Sequence, residues 1–183
     1  MTITQQLDEN FIKFIQQQQM FFVATADTDG RVNVSPKGLD TLKVKSNNRI
    51  LWLSLSGSGN ETATHVQATK RMTLMFCAFT GKAMILRLYG QAKVYHPWDK
   101  EWETLINEFP EIAGSRQIFD LDIDLVQTSC GSGVPIMDFQ KSRGEEELVP
   151  FYAKMGKDGV QKYWSKKNTT SIDGKATGIF QSK

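Results

Sequence analysis

A chain of 183 residues, 40% hydrophobic and 23% charged, has the composition of a soluble globular protein with one substantial core. Its net charge of +2, spread along the sequence, argues against a nucleic-acid surface, and no apolar run approaches the ~20 residues of a membrane helix. The opening MTITQQLDENFIKF lacks the basic start and apolar block of a secretory signal. Cys77 and Cys130 stand in no metal-ligand spacing, so a reduced, cytoplasmic protein is expected.

Leu7, Phe11, Phe14 and Ile15 recur at helical spacing, which predicts a helix over 4–19 with Thr4 as its cap. Met20 to Ala26 and Arg31 to Ser35 flank Asp27-Thr28-Asp29-Gly30 as a β-hairpin, and Pro36, which has no N–H, is expected to end its second strand. Leu39 to Val44 and Arg49 to Leu55 pair around Ser46-Asn47-Asn48. The last of these strands runs into Ser56-Gly57-Ser58-Gly59-Asn60-Glu61-Thr62, and a helical pattern follows. Arg71 to Phe79 and Ala83 to Tyr95 flank a turn at Thr80-Gly81-Lys82. Roughly six strands around a single short helix indicate an antiparallel barrel rather than βαβ units.

Pro97 opens an amphipathic helix bearing Trp98, Trp102, Leu105 and Ile106, which ends near Pro110. A short helical piece is expected over Ile112 to Phe119 and an alternating strand over Leu121 to Thr128. Ser129 to Pro135 is a glycine-rich loop. A helix is expected from Glu145 to about Lys167, then an irregular polar tail to Lys183. Neither a repeat nor a linker divides the chain, so one domain is expected over 1–183, with a helical extension from about residue 131.

The stretch from Ser56 to Thr62 admits two readings. Ser58 or Asn60 caps a helix with Glu61 in its first turn, or the unpaired N–H groups of that helix start bind an anion. Taken alone, the motif favours the cap. By strand alternation Asn33 and Ser35 share a face, with Lys37 just beyond. Arg87 interrupts the apolar strand Met84 to Tyr89, which calls for a barrel mouth, an anion or a carboxylate partner. His65 and His96 have no acidic or cysteine partner at ligand spacing, so no metal site is expected. Cys77 reads as core; Cys130, among glycines, reads as exposed.

These residues together carry a resemblance. FFVATADTDGRVNVSPKGLD, LWLSLSGSGNET and RMTLMFCAFTGKAMILRLYGQAKV, in this order and spacing, resemble the pyridoxamine 5'-phosphate oxidase-like FMN-binding split-barrel family over about Phe11 to Val94. VQTSCGSGVPIMDF and KKNTTSIDG resemble the C-terminal region of an uncharacterised bacterial branch of it. The resemblance implies a mainly β fold, a six-stranded antiparallel split barrel with flanking helices, that dimerises and binds FMN in clefts at the subunit interface. With it counted, the cofactor reading of the strand-end turn overtakes the cap. It implies phosphate contacts from Ser56, Gly57, Ser58, Asn60 and Thr62, and contacts along the ring and ribityl chain from Asn33, Val34, Ser35 and Lys37. It further implies a polar contact from Arg87 and an approach of Ser129 and Cys130 to the flavin.

Two departures from the family pattern matter. The Arg-Lys pair that grips phosphate in true oxidases is replaced by Gly59-Asn60-Glu61-Thr62, leaving Lys37, Lys70, Arg71 and above all Arg87 to balance the charge. The Arg-x-Glu-Phe-Trp-type C-terminal segment is absent, which argues against pyridoxamine 5'-phosphate as substrate. The expected function is therefore an FMN-dependent oxidoreductase acting on an unidentified small molecule. No catalytic side chain is assigned, since the flavin carries the redox chemistry. The alternatives are a non-catalytic flavin-binding or stress-related module, or a split barrel that binds haem or a deazaflavin; haem would draw its axial ligand from His65 or His96.

Overall fold

The computed structural model describes residues 1–180, so the end of the predicted polar tail, 181–183, lies outside the described residues. Eight antiparallel strands form one sheet: β1 (Ile3–Thr4), β2 (Met20–Thr25), β3 (Asn33–Gly38), β4 (Leu42–Ser46), β5 (Arg49–Leu55), β6 (Arg71–Cys77), β7 (Ile85–Tyr95) and β8 (Ser115–Ser129). The order along the sheet is β3-β2-β6-β7-β8-β5-β4, and β1 adds to β8. Among the described residues four α-helices flank it, α1 (Glu9–Gln17), α2 (Glu61–Thr69), α3 (Trp102–Ile106) and α4 (Val149–Lys167), and a π-helical turn over Gly144–Leu148 leads into α4. Among the described residues no helix is long and apolar enough to cross a membrane.

The fold is the expected mainly β split barrel, but its strand count is eight rather than six. The strand predicted over 121–128 extends back to Ser115, and Ile3–Thr4 pairs with Val126 and Gln127. The predicted helical piece over 112–119 is therefore largely strand. Its period-2 signal is missing because Arg116, Gln117, Ile118 and Phe119 are all buried. Phe119 faces the barrel core, whereas Ile118 packs with Leu51 and Leu53 against Trp102 and Phe109. The opening helix is also shorter than predicted. Asp8, not Thr4, caps it by accepting the Phe11 N–H at 2.8 Å.

β3 continues through Pro36 instead of stopping there. As an edge strand it has one neighbour, β2, so the missing N–H leaves no second ladder broken. The C-terminal helix is interrupted at Gly156, whose φ of 69° is outside the helical region.

The sheet curls so that β2, β5, β6, β7 and β8 surround one apolar cluster, closed by Leu7 and Ile15 near one helix and by Ala63 and Val66 of α2. Trp52 stacks on Phe119 at 4.8 Å between ring centres and meets Phe21 edge-on. Each such fully buried side chain contributes about 1.5–3 kcal/mol through the hydrophobic effect. Among the described residues no ladder joins the two ends of the sheet, β3 and β4, so the barrel stays split.

Gly90 sits where the β7–β8 register shifts, and a Cβ there would collide with the Asp122 carbonyl oxygen. Gly90→Ala is expected to cost about 3 kcal/mol or more, read as a lower urea midpoint.

Candidate functional site

β5 delivers the chain into the turn 56–60, and α2 leaves it. The underside of this turn is built from distant segments. Ser56 donates through its N–H and hydroxyl to the Gly114 carbonyl, at 2.7 and 2.8 Å, and its hydroxyl accepts from the Trp164 indole at 2.7 Å. Asn60 occupies the N-cap position of α2 without capping it. Its amide instead donates to the carbonyls of Lys167 and Thr170 at 2.7 and 2.9 Å. Asn168 donates to the Gly57 carbonyl at 2.7 Å and to Asn60 Oδ1 at 2.8 Å.

Arg116, only 6% exposed, lies against the same turn. Its guanidinium donates to the carbonyls of Gly57 (3.3 Å) and Gly59 (2.8 Å), to Asn60 Oδ1 (3.4 Å) and to Ser54 Oγ (3.4 Å). Burial pushes its pKa down to about 10, so it stays charged at neutral pH. Glu61, which directly follows the turn, accepts the Asn60 N–H at 3.0 Å and the Ile172 N–H at 3.1 Å.

Facing the turn is β3. Its alternation turns Asn33, Ser35 and Lys37 inward and leaves Val34 exposed on the other side. Asn33 donates to Thr62 Oγ1 (3.1 Å) and Thr25 Oγ1 (3.3 Å) and accepts the Ser35 hydroxyl (2.9 Å), while Thr25 meets buried His65 at 3.1 Å. Lys37 Nζ lies 5.4 Å from the centre of the Trp52 ring, within cation–π range. Burial, then the Arg116 charge, push its pKa down to about 8.

Between these walls is a cleft of about 730 Å³ that includes Ser35, Lys37, Trp52, Ser56 to Gly59 and Arg116. Its outer wall is the segment 139–144, seated on Leu39. That leucine has a left-handed φ of 64°, and a Cβ on Gly144 would come within 2.8 Å of its side chain. Among the described residues no carboxylate lies at ion-pair distance from Lys37 or Arg116. The cleft therefore suits an anion.

The predicted site residues divide into groups. Ser35, Lys37, Ser56, Gly57 and Ser58 share the cleft, Asn33 and Thr62 are bonded to each other beside it, and Asn60 is beneath the turn. The Ser56 hydroxyl, offered as a phosphate donor, already both donates and accepts within the fold. Arg87 and Ser129 lie elsewhere, bonded to each other at 2.8 Å, with Arg87 on the opposite face of β7 from buried Leu86 and Leu88. The Cys130 thiol is exposed and held below its usual pKa by hydrogen bonds from Ser132. His65 and His96 are buried and do not line the cleft, and no group of three or more His, Cys, Asp or Glu is placed to hold a metal among the described residues. A smaller depression of about 400 Å³ by β2, β6 and β7 includes Arg71, one of the cations expected to balance the phosphate, and none of the other predicted residues.

Arg116 escapes the sequence reading: flanked by Ser115 and Gln117 in a stretch expected to be helical, it lacks the apolar strand context that singles out Arg87. Trp164 and Asn168 offer no local signal, because their partners are 108 and 111 residues away.

Residues 7–130 match the family described as pyridoxamine 5'-phosphate oxidase. The pyridoxamine 5'-phosphate oxidase family protein ustO of Aspergillus flavus is 32% identical over 184 residues, covering 92% of this chain and 74% of that protein. The chain belongs to the pyridoxamine 5'-phosphate oxidase family. In fold it is similar to a putative pyridoxamine 5'-phosphate oxidase from Lactobacillus delbrueckii, with TM-score 0.52, 22% identity, and coverage of 68% of this chain and 95% of the other. It is also similar to HupZ of Group A Streptococcus, with TM-score 0.52, 14% identity, and coverage of 70% and 98%. The family match stops at Cys130. The fungal relative, at 92% coverage, takes in much of the region beyond it.

The depressed Lys37 pKa has a stability consequence. Below about pH 8 its charge is penalised in the folded state only. The penalty is relieved as pH rises from there toward the unfolded value near ~10.4, so stability should rise over that window. Lys37→Met should be more stable than the wild type at pH 7 and lack this rise, as followed by urea midpoints across pH 7–10.5.

Proposed function

We propose that this protein is an FMN-dependent oxidoreductase of the cytoplasm, acting as a homodimer on a small molecule other than pyridoxamine 5'-phosphate. The observation that carries the reading is a donor-rich turn that shares one cleft with Lys37 and Arg116, neither of them ion-paired among the described residues. Membership of the family supports FMN as the anion.

The available groups fit the cofactor. The Ser58 hydroxyl and the turn's N–H groups can donate to the phosphate, while Ser56 serves the fold. Ser35 and Lys37 would then lie beside the ring, with buried Trp52 supporting the Lys37 side chain. When bound, the flavin supplies the two-electron chemistry. The chain's own part is to bind and orient it, to place the Lys37 charge beside it, and to limit water through the wall at 139–144. Ser35 donates its own proton to Asn33, so its free lone pairs are left for a donor on the bound molecule. The partly exposed residues Met75, Ile85 and Tyr89 on the outer faces of β6 and β7 support dimerisation.

Freshly purified protein should absorb near ~375 and ~450 nm and release FMN identifiable by mass, and NADH or NADPH should bleach those bands. Light scattering should report twice the 20.7 kDa chain mass. Lys37→Ala should weaken FMN binding roughly tenfold, as expected for the loss of one charge-assisted contact. A colourless protein that takes up no added FMN would end this reading.

A further inference from the structure

We propose that Arg116, acting from behind the turn, makes the site select a phosphate dianion over an uncharged group, and that Asn60 and Asn168 are positioning residues that keep its charge uncompensated. The inference rests on the FMN reading and adds to it the source of the phosphate preference.

A buried charge normally recruits a carboxylate, because neutral dipoles alone leave much of its desolvation cost standing. Arg116 recruits none. Its four acceptors are two backbone carbonyls, a hydroxyl and an amide oxygen, and its Nε has no partner although it is buried. Asn60 contributes the amide oxygen, and Asn168 holds both Asn60 Oδ1 and the Gly57 carbonyl in place. An acid at either position would neutralise the guanidinium.

The same contacts set the direction of the turn. In a planar trans peptide the C=O and the following N–H point oppositely. With the Gly57 and Gly59 carbonyls drawn onto Arg116, the N–H groups of Ser58 and Asn60 must point away from it. Asn60 bears this out, since its N–H is taken on the outer side by Glu61. The Ser58 N–H has no protein partner among the described residues. Arg116 thus supplies positive charge at the back of the turn and aims a backbone donor out of its front, next to the N-terminus of α2. Among the described residues Glu61 is the acid whose charge opposes this field, and its two oxygens are already engaged.

The test compares FMN with riboflavin, which lacks the phosphate, by fluorescence titration of wild type, Arg116→Lys, Arg116→Gln and Glu61→Gln. Arg116→Gln should weaken FMN about tenfold or more and leave riboflavin within about twofold, while Arg116→Lys should retain most of the preference. Glu61→Gln, which leaves the side-chain contacts of Arg116 in place and gives up one of the two backbone N–H bonds that Glu61 accepts, should tighten FMN several-fold without changing riboflavin. A folded Arg116→Gln that still prefers FMN overturns the proposal. If neither Arg116 variant folds, a Glu61→Gln protein with unchanged preference overturns it. Binding of inorganic phosphate, followed by 31P line width, separates this inference from the cofactor assignment. A wild type that ignores both flavins yet binds phosphate, with Glu61→Gln binding it more tightly, retains the Arg116 role and removes FMN. No phosphate binding removes both.

Discussion

The buried guanidinium of Arg116 is the constraint on which the site depends. It ties β8 to the turn between β5 and α2, and it can do so only because three other residues satisfy what surrounds it. Gly114 receives Ser56, Trp164 of α4 donates to the same hydroxyl, and Asn168 locks Gly57 to Asn60. The glycines of the turn let carbonyls approach the arginine closely, and their small size leaves the front of the turn open. A flexible loop would have to be ordered when a ligand arrived; here the ordering cost is met on folding.

The C-terminal region is accordingly part of the site rather than an appendage. After Asn168 the chain crosses α2 and reaches the β2–β3 hairpin. Gln67 donates to the Thr177 carbonyl at 3.0 Å, His96 meets the same carbonyl at 3.2 Å, and Ile179 is buried beside α4. Lys175 pairs with Asp27 at 2.7 Å and with Asp29, and Arg31 pairs with Asp173. Exposed ion pairs are each worth little. Asp27 and Asp173, however, have side chains only 5% and 11% exposed, so these contacts also fix where the hairpin stands relative to α2. That placement is what brings Asn33 on β3 to Thr62 on α2.

Lys37 and Arg116 play different parts in the cleft. Lys37 is partly buried over an indole face, and its charge is sensitive to pH in the mildly alkaline range. Arg116 stays charged throughout that range and is fixed by several hydrogen bonds. One supplies an adjustable contact on the ring side; the other supplies a permanent field at the turn.

Much of the architecture was legible locally. The Asp/Gly hairpin, the β5-turn-α2 sequence, the β6–β7 pair and the common face of Asn33, Ser35 and Lys37 follow from alternation and turn chemistry, which depend on near neighbours. The first half of β8 was not legible, because a strand covered on both faces loses its period-2 pattern, and Arg116 went with it. Nor could the sequence show that Ser56 is engaged by the fold, that Asn60 reaches the tail, or that Arg87 lies away from the cleft. Those facts depend on pairings across 42 to 110 residues. The sequence by itself determined a glycine-rich, donor-bearing turn on a split barrel. Only the tertiary structure decided which cation stands behind that turn, because burial selects among chemically similar arginines by the partners that the fold brings to each.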